Sequence, residues 1–167
     1  MASDSAYELA QLNIARPIAP LASELLVEFV ALLDPVNALA DRAAGFIWRL
    51  QTEDGDATAV RGFGDDELIV NMSTWRSLPA LADFVFGSFH VEVMRRRREW
   101  FARMHEPVTV LWWVPSGHRP TVTEAEERLG ALRAQGPTRD AFTFRRPFGT
   151  PDVLDEVAPS QPWTCEV

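Results

Sequence analysis

Two side chains able to do chemistry lie seven residues apart in the stretch GSFHVEVMRRRREWF, residues 87–101: the imidazole of His90 and the guanidinium of Arg97. At about 100° per residue, residues 86–104 form a predicted helix with Val93, Met94, Trp100, Phe101 and Met104 on one broad apolar face. His90 and Arg97 fall near the middle of that face. Arg95 and Arg96 fall on the polar side with Glu92, Glu99 and Arg103, and Arg98 on the boundary. Glu92–Arg96 and Arg95–Glu99 have the four-residue spacing of helix ion pairs. The RRRR run therefore divides into different roles and makes a poor phosphate-binding stripe. A charge in an apolar stripe needs a partner. Arg97 is expected to meet a buried carboxylate, strand-end carbonyls or a substrate anion. His90 is expected to be a satisfied core histidine or a ring at the edge of a pocket. In the second case it could move a proton near neutral pH, or ligate a metal or haem iron.

These residues need a sheet to face. YELAQLNI (7–14), FIWRLQ (46–51), LIVNMSTW (68–75) and VTVLWWV (108–114) read as strands. Residues 21–40 read as a helix with Leu25, Phe29, Leu32, Leu33, Val36 and Leu39 recurring at three- and four-residue steps. Pro35 predicts a kink or break there, and Gly45 a C-cap. Residues 59–63 suggest a further short strand. Residues 78–104 read as largely helical, with a break near Gly87. Thr121 and Glu124 fit a capping box ahead of an apolar stripe at Ala125, Leu129 and Leu132. AFTFRRPF (141–148) reads as an edge strand or extended arm.

The order β-α-β-β-α-β plus a C-terminal helix is the ferredoxin-like α+β pattern, with an antiparallel sheet. The expected domain covers residues 1–148 and the expected tail, rich in proline and acid, residues 149–167. Alternation gives each strand one apolar and one mixed side. The mixed sides hold Gln11 and Asn13, Arg49, and Ile69, Asn71, Ser73 and Trp75, with Trp113 as the exposed member of the Trp112–Trp113 pair. The expected helix-covered side holds Leu68, Val70 and Met72. The mixed side is then a solvent face, or a ligand pocket completed by a second copy closing two sheets into a barrel.

Composition excludes several classes. The 167 residues carry a net charge of −8, and all sixteen basic residues are arginine. Such an acidic chain repels a polyphosphate, so no nucleic-acid partner is expected. Without lysine there is no Schiff-base or P-loop lysine. Cys165 is the single cysteine, so no intrachain disulfide or cysteine metal cluster can form. No apolar run reaches the ~18 residues of a membrane span, and no signal-peptide pattern opens the chain. A cytoplasmic protein with no membrane partner is expected. No zinc motif, EF-hand spacing, phosphate loop or nucleophile elbow occurs, and His118 is expected to cap the helix that follows it.

The element order, together with LIVNMSTWRSLPALADFVFGSFHVEVM, resembles the dimeric α/β-barrel superfamily of antibiotic-biosynthesis and haem-degrading monooxygenases. More closely, YELAQLNIARP, GFIWRLQTEDGDATAVRGFGDDELIVNMSTW, HVEVMRRRREWF, LWWVPSGHRPT and AFTFRRPF resemble a bacterial family of unknown-function domains within it. The resemblance implies a homodimeric barrel with a pocket between sheet and helices. It also implies that Asn13, Trp75 and His90 act together, Asn13 orienting the substrate or an oxyanion, Trp75 packing against its ring and His90 shuttling a proton. The expected substrate-binding residues are Gln11, Arg49, Asn71, Ser73, Arg97 and Trp113. The function implied is a cofactor-free monooxygenase-like enzyme, or a related isomerase or cyclase, acting on a hydrophobic aromatic metabolite. The alternatives are a haem-binding or haem-degrading protein with His90 as axial ligand, and a non-catalytic dimeric ligand-binding or structural module.

Overall fold

Strand Tyr7–Ala15 (β1) holds the centre of the sheet. In the computed structural model, which describes residues 5–152, it pairs antiparallel with Ile69–Trp75 (β3) on one side and Thr109–Pro115 (β4) on the other. Phe46–Arg49 (β2) adds outside β3, giving the order β2-β3-β1-β4. Helix Val27–Asp41 (α1) joins β1 to β2. Three helices, Leu78–Val85 (α2), Ser88–Arg95 (α3) and Arg97–Trp100 (α4), join β3 to β4. Val122–Gln135 (α5) follows β4. This is the expected ferredoxin-like α+β architecture with an added C-terminal helix. The expected acidic tail lies, from residue 153 on, outside the described residues, as does Cys165. Among the described residues no helix is long and apolar enough to cross a membrane.

Local chemistry sets the breaks. Ser77 caps α2, its hydroxyl accepting the Ala80 N–H at 3.2 Å. Gly87 separates α2 from α3; a Cβ there would stand 2.8 Å from the Asp83 carbonyl oxygen. Arg96 separates α3 from α4 and bonds to Glu99 and Glu28, with its guanidinium 4.7 Å from the centre of the Trp100 ring. The pairing departs from the expected Glu92–Arg96 and Arg95–Glu99 because the helix is interrupted at Arg96, which turns it toward Glu99 and toward α1. Pro35 does not break α1. Pro35 and Ala31 are both exposed, so water can take the carbonyl that a proline leaves without a donor. The helix ends at Asp41, ahead of Gly45, which serves instead as a left-handed turn into β2 with φ +82°.

The strand expected at 59–63 is absent. Phe63 has φ +61°, a left-handed conformation no strand contains. The whole 51–68 segment is a loop, pinned by the Glu126 carboxylate on the Phe63 N–H and by Arg16 on Asp65 and Glu67.

The two sheet faces are covered in the reverse of the expected arrangement. Strands β1 and β2 run parallel with β3 between them, and β3 and β4 run parallel with β1 between them. Right-handed crossovers put both connecting helical layers on one face, and that face is the mixed one. The apolar face (Leu12, Val70, Met72, Val110, Trp112) receives α5 through Ala125, Leu129 and Leu132, with Phe63 of the loop packed alongside. Within one chain this face is packed under α5 and the 51–68 loop.

Thr121 caps α5, accepting the Glu124 N–H at 3.1 Å. The Glu124 carboxylate does not complete the capping box. It accepts the Trp112 indole N–H at 2.9 Å and His118 Nε2–H at 2.7 Å, tying the helix to β4. Burial works against ionisation of Glu124, but the His118 and Trp112 hydrogen bonds outweigh it and hold the carboxyl below its usual range. Along the free edge of β4, Phe142 exchanges two backbone hydrogen bonds of 2.8 Å with Leu111, so the AFTFRRPF arm blunts that edge.

Because Leu129 of α5 is buried in the core under the apolar face, Leu129→Ala is expected to destabilise the fold by about 2–5 kcal/mol, the range for an unfilled core leucine site. Urea denaturation followed by circular dichroism measures it, and a loss below about 1 kcal/mol would mean that α5 is not part of the cooperative core.

Candidate functional site

Along the mixed face the side chains change from apolar to polar. At one end Leu9 sits opposite Trp75 and Trp113; in the middle Gln11 pairs with Ser73 and Leu111; at the far end Asn13 pairs with Asn71 and Thr109. Leu9, Trp75 and Leu111 are buried, whereas Asn71 is exposed. A cavity of about 390 Å³ lies between this face and α1–α4, its tryptophan end closed over buried Trp75 and its other end open where Asn71 is exposed.

A bulge decides part of its wall. Phe46 pairs with Trp75 and Arg49 with Ser73, so β2 carries one residue more than β3 between those pairs. Simple alternation places Phe46 with Trp48 and Leu50, opposite Arg49. The extra residue brings Phe46 and Arg49 onto the same face, where both line the cavity, while Trp48 packs on the α5 side.

Eight of the nine residues expected at the site line this cavity: Gln11, Asn13, Arg49, Asn71, Ser73, Trp75, His90 and Arg97. Trp113 does not. It packs with Phe142, and its indole N–H donates to the Phe148 carbonyl at 2.9 Å, because the C-terminal arm folds over that corner of the sheet. Trp75 is 1 % exposed. Phe84 stacks on its ring at 5.1 Å and Phe46 meets it edge-on at 5.4 Å. Its N–H donates to Ser73 Oγ at 2.9 Å, and Ser73 donates to Gln11 Oε1 at 3.0 Å. This buried chain leaves no free donor on Ser73 and fixes the Gln11 amide.

The remaining polar groups differ in how committed they are. Asn13 Nδ2 donates to Thr109 Oγ1 at 2.8 Å. Arg49 donates to Asp41 at 2.8 Å and to the Gly55 carbonyl at 2.7 Å. Asp56 comes from the loop after β2 and lines the cavity too. Nothing local in its TEDGDAT segment, which has turn chemistry, says that the loop folds back. Among the described residues Arg97 makes no hydrogen bond or ion pair through its guanidinium, so the expected buried carboxylate is not there. No three histidine, cysteine, aspartate or glutamate side chains converge among the described residues.

His90 contacts the Phe84 ring at 5.1 Å, and its Nδ1 lies 2.8 Å from the Val85 carbonyl. A carbonyl only accepts, so Nδ1 carries the proton and Nε2 of the neutral ring is a bare acceptor. Burial pushes the His90 pKa below its ordinary value of 6.5, partly offset by the bond to Val85. The ring is therefore neutral near pH 7 and able to take a proton.

Two consequences can be measured. Ser73→Ala strands the Trp75 donor and the Gln11 acceptor in a buried site and is expected to destabilise the fold by about 1–3 kcal/mol in urea; no measurable change would show that both find other partners. The folded state disfavours charged His90, so its contribution to stability is complete above the ordinary pKa of 6.5 and is lost as pH falls through the lower folded value. The decline in stability on acidification below pH 6.5 is expected to be shallower in His90→Gln than in the wild type. Equal slopes would mean that another group causes the decline.

The model of a domain-of-unknown-function family, DUF3291, matches residues 8–158. No curated protein matches the chain. Among solved structures the chain is similar to a protein from Pseudomonas aeruginosa, at 13 % identity and TM-score 0.47, covering 70 % of this chain and 100 % of that one. It is similar to a conserved protein from Methanosarcina mazei, at 12 % identity and TM-score 0.48, covering 69 % and 98 %. A third is SnoaB, a cofactor-independent oxygenase from Streptomyces nogalater, at 15 % identity and TM-score 0.44, covering 69 % and 96 %. The family match runs from the start of the central strand past the C-terminal arm, and the chain belongs to the DUF3291 family of domains of unknown function.

Proposed function

We propose that the chain is a monooxygenase-like enzyme that acts, without a bound cofactor, on a hydrophobic aromatic metabolite held in the cavity between sheet and helices. One observation carries this reading: a neutral imidazole with a bare Nε2 stands beside aromatic rings in a largely apolar cavity of about 390 Å³, a size that suits a small organic ligand. The sequence resemblance to the monooxygenase superfamily supports it.

The chemistry needs only a base and an ordered site. A ring system with an acidic C–H, such as an anthrone, gives a proton to His90 Nε2. The resulting carbanion is electron-rich and passes its electrons to dioxygen. In the balanced reaction one ring methylene and one dioxygen give one ketone and one water. One oxygen atom becomes the ketone and the other leaves as water with the two methylene hydrogens, so no external reductant is consumed. Asn13 keeps the second N–H of its amide for a developing oxyanion. Phe84 and Phe46 give the ring apolar walls, and Trp75 acts on the site through Ser73 and Gln11. A related isomerase or cyclase would begin with the same proton abstraction.

Haem, the alternative occupant, asks for more than the site offers. Nε2 of His90 could serve as an axial ligand, but two propionates need two cationic partners. Arg49 is committed to Asp41 and Gly55, which leaves Arg97 alone among the arginines lining the cavity.

Oxygen uptake with anthrone and with a hydroxylated anthrone tests the proposal. His90→Gln is expected to lower kcat by about 10²–10⁴-fold, the usual contribution of a general base. The wild-type rate is expected to fall with acidification, as a single proton blocks Nε2 below the ordinary histidine range. A wild-type protein inert toward the whole panel, or an unchanged rate in His90→Gln, would overturn it.

A further inference from the structure

Two features of the cavity remain unused by a purely apolar ligand: an uncommitted cation and a polar, open end. Arg97 lines the cavity, and among the described residues nothing pairs with its guanidinium. The other lining arginine, Arg49, is neutralised by Asp41. The lining carboxylate of Asp56 is occupied elsewhere, accepting the Thr58 N–H at 2.8 Å and the Thr58 hydroxyl at 2.6 Å. Among the described residues Arg97 therefore has no internal counter-charge at hydrogen-bond range. A guanidinium of a half-buried arginine in that situation favours an anion over a neutral ligand.

The position of Arg97 follows from how α4 is anchored. The Ile18 N–H donates to the Trp100 carbonyl and the Ala102 N–H to the Arg16 carbonyl, both at 2.9 Å. These bonds hold the end of α4 against the exit of β1, beside the Asn13–Asn71 end of the sheet. His90 is held at the other end by the Val85 carbonyl and the Phe84 ring. Seven residues separate them, roughly 10 Å along the helical path at ~1.5 Å per residue. Arg95 and Arg98, both exposed and without ion pairs among the described residues, add positive potential around Arg97 on an otherwise acidic chain.

We propose that the natural occupant is an amphipathic anion, an aromatic molecule bearing a single carboxylate, which seats its ring at the closed end and its charge on Arg97 at the open end. This rests on the reading of the cavity as a site for an apolar metabolite, and it specifies the substrate class. A planar carboxylate matches the two-pronged donor geometry of a guanidinium, and the Asn71 amide at the same end can share it.

Isothermal titration calorimetry at pH 8 with 2-naphthoate and its neutral isostere 2-naphthamide tests this on the wild-type protein. Naphthoate is expected to bind at least tenfold more tightly than naphthamide, with the gap shrinking in 1 M NaCl as charges are screened. In Arg97→Gln the naphthoate affinity is expected to fall to that of naphthamide, with a circular dichroism spectrum matching the wild type to show that the variant is folded. Equal affinities in the wild type, or a gap that survives Arg97→Gln, would overturn the anionic class and leave the cavity reading standing. Failure of both probes to bind would overturn the two together.

Discussion

The indole N–H of Trp75 donates to Ser73, and Ser73 donates to Gln11, so the indole N–H, the hydroxyl and the Gln11 Oε1 on the inner sheet face are paired without water. That constraint shapes what lies above them. A polar sheet face can be buried only where each donor and acceptor is paired, and here the pairing stops short of the strand ends. Toward Leu9 the face is apolar and closes under Phe46, Phe84 and the C-terminal arm. Toward Asn71 and Asn13 amides remain, and the helical layer stands off to leave a cavity. The cavity's closed apolar end and open polar end reflect that gradient.

A second consequence concerns the assignment of the two faces. Both crossovers fall on the side of the polar chain, so α1–α4 roof the cavity, and the more apolar face needs another cover. Helix α5 supplies it with Ala125, Leu129 and Leu132, fastened through Glu124 to Trp112. The helix after the last strand therefore covers apolar surface that the two crossovers leave bare. The cavity in turn is walled by a single chain's residues.

Much of the site is legible in the sequence, and the misreadings share a cause. His90 and Arg97 share a helix face because seven residues are nearly two turns, and they face the cavity although the helix is interrupted at Arg96. Gln11, Asn13, Asn71 and Ser73 follow from alternation along two uninterrupted strands. Alternation misplaces Phe46 because one inserted residue in β2 shifts its phase, and a bulge leaves no local signature. It puts Trp113 on the correct face but not in the cavity, because the cover of that ring is a segment about thirty residues away in the chain. Asp56 escapes notice because a turn sequence says nothing about where the loop folds.

The sequence by itself determined the element order, the ferredoxin-like class, the exclusion of lysine and cysteine-cluster chemistry, and the two helix residues turned inward. These depend on periodicity and composition, which act over a few residues. Only the tertiary structure decided which sheet face each helical layer covers, that Trp75 is locked into a hydrogen-bonded chain rather than left bare, and that Arg49 finds a carboxylate while Arg97 does not. Pairing and burial depend on segments brought together from distant parts of the chain, and no local pattern encodes which partner will be within reach.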